Sequence, residues 1–276
     1  MSKPRVSALV PSFNHSRYIA RCLNSIVENG YPKESLEILV GDDHSLDGSQ
    51  VSIIAMSKKH DNIKYFFNKE KNVGTVKNLN NLLSKANGKY CFMLASDDIL
   101  LPGSIGTRVD YLERRQDKKF AFGDCIVIDR NGQKTHDSGI MEFHQNITDK
   151  EQLNDENILE TTIKRWSVPG PVSLYERQAM LEFGGYDEDF CIEDYSTYIK
   201  FASKGWLGYI DRKVAAWRVT GKNACMGSNV PRVFADLART AEKYKSLFVG
   251  REREIEMLEW AKQHYAKAAK ALGNLA

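Results

Sequence analysis

With 276 residues, 42% of them hydrophobic and 27% charged, the chain is long enough to bury one substantial core with a compact unit appended to it. Its 39 basic and 36 acidic residues leave a formal net charge of +3, too balanced for a nucleic-acid binder, whose basic stripe should dominate. No apolar run is long enough to span a bilayer and the Met1-Ser2-Lys3-Pro4-Arg5 start has no signal-peptide core, so the expected location is the cytosol. The five cysteines, Cys22, Cys91, Cys125, Cys191 and Cys225, are widely spaced and odd in number, which argues for reduced packing residues rather than a disulfide framework or a zinc site.

In chain order, Val6 to Val10 reads as a strand, and Ile19, Cys22, Leu23, Ile26 and Val27 recur at helical spacing. Glu37 to Val40 is the next strand, followed by a helix expected to bury Val51, Ile54 and Ala55. Ile63 to Phe67 is a third strand, and Val76, Leu79, Leu83 and Ala86 mark a third helix. Tyr90 to Leu94 is continuously apolar, as a strand covered on both faces requires, and Ile105, Val109 and Leu112 follow at helical spacing. This succession implies an α/β fold with a doubly wound, mostly parallel, Rossmann-like sheet. Ala121 to Asp129 reads as a strand closed by the hairpin dipeptide Asn131-Gly132. Loop-rich sequence then continues past Val172 to Tyr175 and Gly184-Gly185. From about Arg232 two helical patterns form a C-terminal helical hairpin, the second with Ile255, Leu258, Ala261, Tyr265, Ala268 and Leu272 on one stripe. The expected layout is one α/β domain over 1–230, divided at 132/133, and a C-terminal helical extension over 231–276.

In an open α/β sheet ligands bind beyond the carboxyl ends of the strands. Here those ends read Pro11-Ser12-Phe13-Asn14, Gly41-Asp42-Asp43-His44-Ser45-Leu46-Asp47-Gly48 and Ala95-Ser96-Asp97-Asp98, so two acidic pairs converge on one edge. Adjacent carboxylates need a cation or hydrogen-bond donors. Asp97-Asp98 therefore either binds a divalent metal, Mg or Mn, completed by phosphate and water, or caps the helix that follows. For Asp47 the capping role is preferred.

These turns, in this order, resemble those of the inverting glycosyltransferases of family 2, which have the A-type nucleotide-sugar transferase fold. Val6 to Asn14 is similar to the family's opening strand and Pro-Thr-Tyr-Asn turn. Ile38 to Gly48 is similar to its Val-Asp-Asp-Gly-Ser-x-Asp-Gly turn, and Asn72 to Tyr90 to its Asn-x-Gly...Asn...Ala-x-Gly-x-Tyr stretch. Ser96-Asp97-Asp98 looks like the Asp-x-Asp motif, and Gly184 to Asp187, Glu193-Asp194 and Lys204-Gly205 match the later motifs. The resemblance covers about Val6 to Arg218.

The resemblance implies an inverting transfer from a nucleotide-diphosphate sugar, UDP-linked by preference, to a glycan, lipid-linked or protein-linked acceptor. It implies Asp98 as metal ligand and a donor site of Pro11, Ser12, Phe13, Asn14, Asp43, Asn78 and Asp97. Phe13 would lie against the base, with ordinary core packing as its alternative; Asp43 would accept from the base, and Asp97 would reach a ribose hydroxyl. Asp194 would be the base that deprotonates the acceptor and Glu193 would orient the site or bind acceptor, an exchange of roles or a plain helix start being the alternatives. The chain departs from the family at Thr220, where many relatives have a metal-binding histidine, and Arg218 or Lys222 is expected to add positive charge near the diphosphate. Ala95 likewise replaces an aspartate of the longer Asp-x-Asp-Asp form.

Trp166, Tyr175, Tyr186 and Trp206 either stack on an acceptor sugar or belong to the core, the second being preferred. The basic residues Lys243, Lys245, Arg251, Arg253, Lys262, Lys267 and Lys270 leave three roles for the C-terminal helices: covering the catalytic domain, resting on the inner face of an anionic membrane, or pairing with a second copy. Against a dinucleotide-dependent oxidoreductase, the first strand is followed by Pro-Ser-Phe-Asn rather than a glycine-rich loop. The same region has no glycine- and arginine-rich start, which argues against a sugar nucleotidyltransferase. A catalytically silent nucleotide-sugar or glycan-binding module is the alternative from a different class.

Overall fold

The computed structural model describes residues 3–143, 153–154, 157–164, 170–221, 223 and 225–273. The strands are β1 (Val6–Ser12), β2 (Leu36–Asp42), β3 (Ile63–Phe67), β4 (Tyr90–Met93), β5 (Ile99–Leu100), β6 (Phe120–Ile128), β7 (Lys134–His136), β8 (Ser173–Glu176) and β9 (Leu207–Arg218). The helices are α1 (Ile19–Val27), α2 (Ser49–Lys59), α3 (Thr75–Leu83), α4 (Ser104–Arg114), α5 (Gly139–Phe143), α6 (Ile158–Lys164), α7 (Arg177–Glu182), α8 (Asp194–Ser203), α9 (Val230–Tyr244) and α10 (Glu252–Gly273).

The strands form one sheet in the order β3-β2-β1-β4-β8-β6-β9-β5, with β7 paired to β6. β1, β2, β3, β4, β6 and β9 run the same way, and β5, β7 and β8 are opposed. The fold is thus the mixed but mostly parallel sheet expected, with the carboxyl ends of β2, β1 and β4 side by side. The Asn131-Gly132 hairpin forms between β6 and β7, where Gly132 takes the positive φ of 90° such a turn requires.

Helices cover both faces. One core layer packs Ile19, Cys22, Leu23 and Ile26 of α1, Ile53 and Met56 of α2 and Ile105, Val109 and Leu112 of α4 against Val6, Ala8, Val10, Ile38 and Val40. The other packs Leu9, Leu39, Cys91 and Met93 against α3, α6, α7 and α8, and it continues without a break into Val233, Leu237 and Ala241 of α9 and Leu258, Ala261 and Tyr265 of α10. The C-terminal hairpin therefore packs on α6 and α8 on this side of the sheet, and the core extends across residue 231.

One expectation needs correction. α2 forms where expected, but Val51 and Ala55 are exposed, and Ser49, Ile53 and Met56 face inward. The helix phase is set at its first residue, because the buried Ser49 hydroxyl accepts the His15 N–H at 2.9 Å and donates to Asp47 Oδ1 at 2.5 Å. Positions 53 and 56 then share its face. In β3 only Ile63 is fully buried, because β3 is an edge strand; Tyr65 and Phe67 stack on each other at 4.7 Å instead. The cysteines are all free, and Cys22, Cys91 and Cys125 are buried as packing residues.

No helix among the described residues is long and apolar enough to cross a membrane. In the hairpin, Lys243 pairs with Asp187 and Asp189, Lys245 with Glu242 and Glu259, Arg251 with Glu254, Arg253 with Glu160, and Lys262 with Glu242 and Glu259. Their charges meet carboxylates of this chain, which favours the covering role. Because Leu258 is fully buried in the common layer, Leu258→Ala should lower the unfolding free energy of the whole chain by about 2–5 kcal/mol. Urea unfolding followed by tryptophan fluorescence and far-UV circular dichroism should show one shifted transition; a separate early transition with the main midpoint unmoved would mean that the hairpin folds apart from the sheet.

Candidate active site

The site is built where β1, β2 and β4 end. The turns after β1 and β2 are locked together: the Asn14 N–H donates to Ser45 Oγ at 2.7 Å, the Leu46 N–H to Asn14 Oδ1 at 2.9 Å, and the Ser16 N–H to Asp47 Oδ2 at 2.9 Å. Asp47 also receives the Ser49 N–H at the start of α2, at 3.0 Å, as the capping reading required. Burial would raise its carboxyl, but the bonds from Ser49 and Ser16 outweigh it and bring the pKa down to about 2.

Of the expected donor residues, Pro11 and Ser12 are buried in β1, while Phe13 projects from its end, 44% exposed, which removes the core-packing alternative for that ring. Asp43 is buried and holds the loop before α3, accepting from Asn68 Nδ2, the Val73 N–H and the Gly74 N–H, each at 2.8 Å. A carboxylate has about four acceptor positions, so one remains. Asn78 has a supporting place: it is buried, and its amide donates to the Gly41 carbonyl at 2.7 Å. A Cβ at Gly41 would lie 2.3 Å from Asn78 Oδ1, so the glycine is what lets α3 approach the end of β2.

Asp97 and Asp98 are both buried. Burial raises the Asp97 carboxyl against the pull of His15 and Arg218; burial, and then the neighbouring Asp97 charge, hold Asp98 well above the usual carboxylate range. The Arg218 N–H donates to Asp98 Oδ1 at 2.7 Å, and its guanidinium donates to the carbonyls of Asp97 at 2.7 Å and Asp129 at 2.9 Å. Arg218 itself is fully buried and stacks over Tyr18 at 4.8 Å. The charge expected beside the missing histidine is thus present, but it is directed at the acidic turn and its carbonyls. Lys222 lies outside the described residues. Thr220 donates its N–H to Asn223 Oδ1 at 2.9 Å.

No three His, Cys, Asp or Glu side chains converge as a cage for a metal among the described residues. The donor set still fits a divalent cation that takes its other ligands from phosphate and water, since two adjacent, desolvated carboxylates are hard oxygen donors and a cation relieves the repulsion between them.

On the other half of the sheet, Glu193 and Asp194 begin α8, where acidic side chains also favour the helix dipole. Both line a shallow recess with Met93, Gly170, Ser173, Tyr175, Tyr186, Thr197 and Tyr198. Burial pushes the Glu193 carboxyl up. Tyr175 and Tyr186 share a hydrogen bond at 2.7 Å and are buried, so they are core aromatics, and Trp206 packs edge-on against Phe183 and Phe201. Trp166 lies outside the described residues.

Three residues were not singled out from the sequence. His15 meets Ser96 Oγ at 2.8 Å and lies 3.9 Å from the Asp97 carboxylate. Asn80, on α3, holds the Gly184-Gly185-Tyr186 turn through the Tyr186 N–H and carbonyl, at 2.8 and 2.9 Å. Cys225 has its thiol pushed up to about 12, first by burial and then by Asp194, with Glu193 and Asp98 adding to it. His15 directly follows the first turn and Asn80 falls inside the Asn72 to Tyr90 stretch, but no sequence signal marked Cys225.

The family model described as Glycosyl transferase family 2 matches residues 7–182. The chain is 33% identical over 126 residues, 45% of its length and 39% of the relative's, to a GalNAc(5)-diNAcBac-PP-undecaprenol beta-1,3-glucosyltransferase of Campylobacter jejuni. It spans well under half the length of the curated relatives it matches. Its fold is similar to that of TarS 1-349 of S. aureus in complex with UDP-GlcNAc, with a TM-score of 0.71 at 17% identity over 95% of this chain and 73% of that one. It is also similar to the mannosyltransferase PcManGT of Pyrobaculum calidifontis in complex with GDP-Man and Mn2+, with a TM-score of 0.67 at 19% identity over the whole chain and 76% of that one.

Asp47 yields a pH test. Its folded pKa lies below the unfolded value of about 3.9, so its contribution to stability is complete above about pH 5 and is lost as the pH falls toward 2. The gap in urea midpoint between wild type and Asp47→Asn should be widest from pH 5 to 7 and should close progressively below about pH 4. A gap independent of pH would mean that the carboxylate charge plays no part in holding the turns.

Proposed function

We propose that this chain, which belongs to glycosyl transferase family 2, transfers a sugar from a nucleoside-diphosphate donor, UDP-linked by preference, to a hydroxyl of a glycan or lipid-linked acceptor with inversion at the anomeric carbon. That it is a glycosyltransferase follows from the family; the donor, the acceptor and the stereochemistry are the proposal. The observation that carries it is that the ends of β1, β2 and β4 bring Asp43 and the buried Asp97-Asp98 pair to one edge of the sheet, while Glu193 and Asp194 line a recess that Met93 of β4 also borders.

On the donor side, Phe13 offers a ring face to the base and Asp43 one remaining acceptor position. Asp98, with Asp97 beside it, would hold a divalent cation, Mg or Mn. The cation would supply charge stabilisation for the departing diphosphate. Arg218 keeps the acidic turn in place through Asp98 Oδ1 and the Asp97 carbonyl. On the acceptor side, attack requires a carboxylate that takes the hydroxyl proton as the new bond forms. Asp194 is assigned that role. Glu193, whose carboxyl burial pushes up, is suited to orienting the acceptor from the wall of the recess. Displacement from the face opposite the diphosphate inverts the sugar. The Campylobacter relative, whose name describes a lipid-diphosphate-linked acceptor, supports an acceptor of that class.

Nucleoside diphosphate release should be measured across UDP- and GDP-sugars with Mn. One donor should be turned over, and EDTA, Asp98→Asn and Asp194→Asn should each lower the rate by about 100-fold or more. Tight binding of a nucleotide sugar with no turnover on any lipid-linked or glycan acceptor would favour the silent binding module instead.

A further inference from the structure

Two non-glycine residues among those described have a left-handed backbone, Asn14 at φ 53° and His44 at φ 67°. They stand on the two turns that close over the ends of β1 and β2. For an L residue this conformation is strained, and it persists only where the surroundings hold it. For Asn14 the surroundings are evident, since its side chain and its N–H bind Leu46 and Ser45.

His44 differs. No hydrogen bond, ion pair or ring contact joins its imidazole to a described residue, and the side chain is only partly buried. It also stands where the similar Asp-Asp-Gly-Ser motif has glycine, the residue that adopts positive φ without strain. The fold therefore does not call for histidine at this position.

Most other polar groups on this rim are already engaged, while Ser12 Oγ and Asp42 Oδ2 are buried without a partner. Ser45 Oγ receives Asn14, Asn14 Oδ1 receives Leu46, Asp47 receives Ser16 and Ser49, and Asp43 has three donors. The groups left for a ligand are the buried Ser12 hydroxyl, the Phe13 ring, one acceptor position on Asp43, and the His44 imidazole, which when neutral offers one donor and one acceptor.

We propose that His44 is a specificity-determining residue of the donor site, hydrogen-bonding the nucleoside beside Asp43 while Phe13 covers the base. The inference rests on the nucleotide-sugar reading above. The strain at residue 44 is retained for recognition, so that removing the side chain relieves the backbone and weakens the ligand.

The test is isothermal titration of UDP, GDP and pyrophosphate, each with Mn, into wild type, His44→Gly, His44→Ala and His44→Asn, with the Tm of every variant recorded. The nucleoside diphosphate that wild type binds should lose about three- to tenfold in affinity in the glycine and alanine variants. Asparagine, which keeps a donor and an acceptor, should recover part of the loss, pyrophosphate affinity should not change, and the Tm of His44→Gly should be at or above that of His44→Ala. Wild-type nucleotide affinity in His44→Gly would overturn the proposal and leave the donor reading standing, as would an equal loss for pyrophosphate, which marks general disruption of the site. If wild type binds neither UDP nor GDP, the donor reading falls and this proposal with it.

Discussion

Two adjacent carboxylates at the end of a fully buried strand are the constraint around which this molecule is arranged. Asp97 and Asp98 follow β4, which has no exposed face, and burial raises both carboxyls. Such a pair is tolerated only if donors and positive charge are brought to it. Arg218 does both, since its backbone N–H meets Asp98 and its guanidinium meets the carbonyl of Asp97. Because Arg218 also reaches the Asp129 carbonyl, the demand made by the acidic turn fixes the end of β9 against the end of β6. The turn after β4 is thereby tied to the ends of β6 and β9.

The rest of the site is set by similar ties between turns. Asp47 and Ser49 couple the β1 turn to the start of α2, and Asp43 couples the β2 end to the loop before α3. Asn80 carries α3 across to the Gly184-Gly185 turn, where a Cβ on Gly185 would lie 2.7 Å from Asn80 Oδ1. The buried Lys200, its pKa lowered to about 8 by burial, donates to the Gly185 carbonyl at 2.9 Å. Asp187 receives Lys243 and Tyr244 from α9. The C-terminal hairpin thus holds the segment leading to Glu193 and Asp194, which gives it a reason to share the core of the catalytic sheet rather than to stand apart.

Much of the fold was legible in the sequence, because hydrophobic period reports burial directly. The continuous apolar run at Tyr90 to Leu94 marked a strand buried on both faces, and Asn131-Gly132 marked the hairpin, since each depends on residues close in the chain. The pattern misled where a distant polar contact set the geometry: the apolar Val51 and Ala55 face out because the Ser49 hydroxyl, held by His15 and Asp47, turns α2 the other way.

The sequence alone determined the order of the motifs, the convergence of the acidic turns on one edge of the sheet and the family, because strand succession and turn chemistry are local properties. Only the tertiary structure decided which polar side chains are already engaged. Asn78 is turned to Gly41, Arg218 to the carbonyls of the acidic turn and Asp43 to the loop before α3, whereas Phe13 is exposed and the partly buried His44 is not engaged by a described residue. That division follows from hydrogen bonds between residues tens of positions apart, and a linear pattern of residue types has no means of recording them.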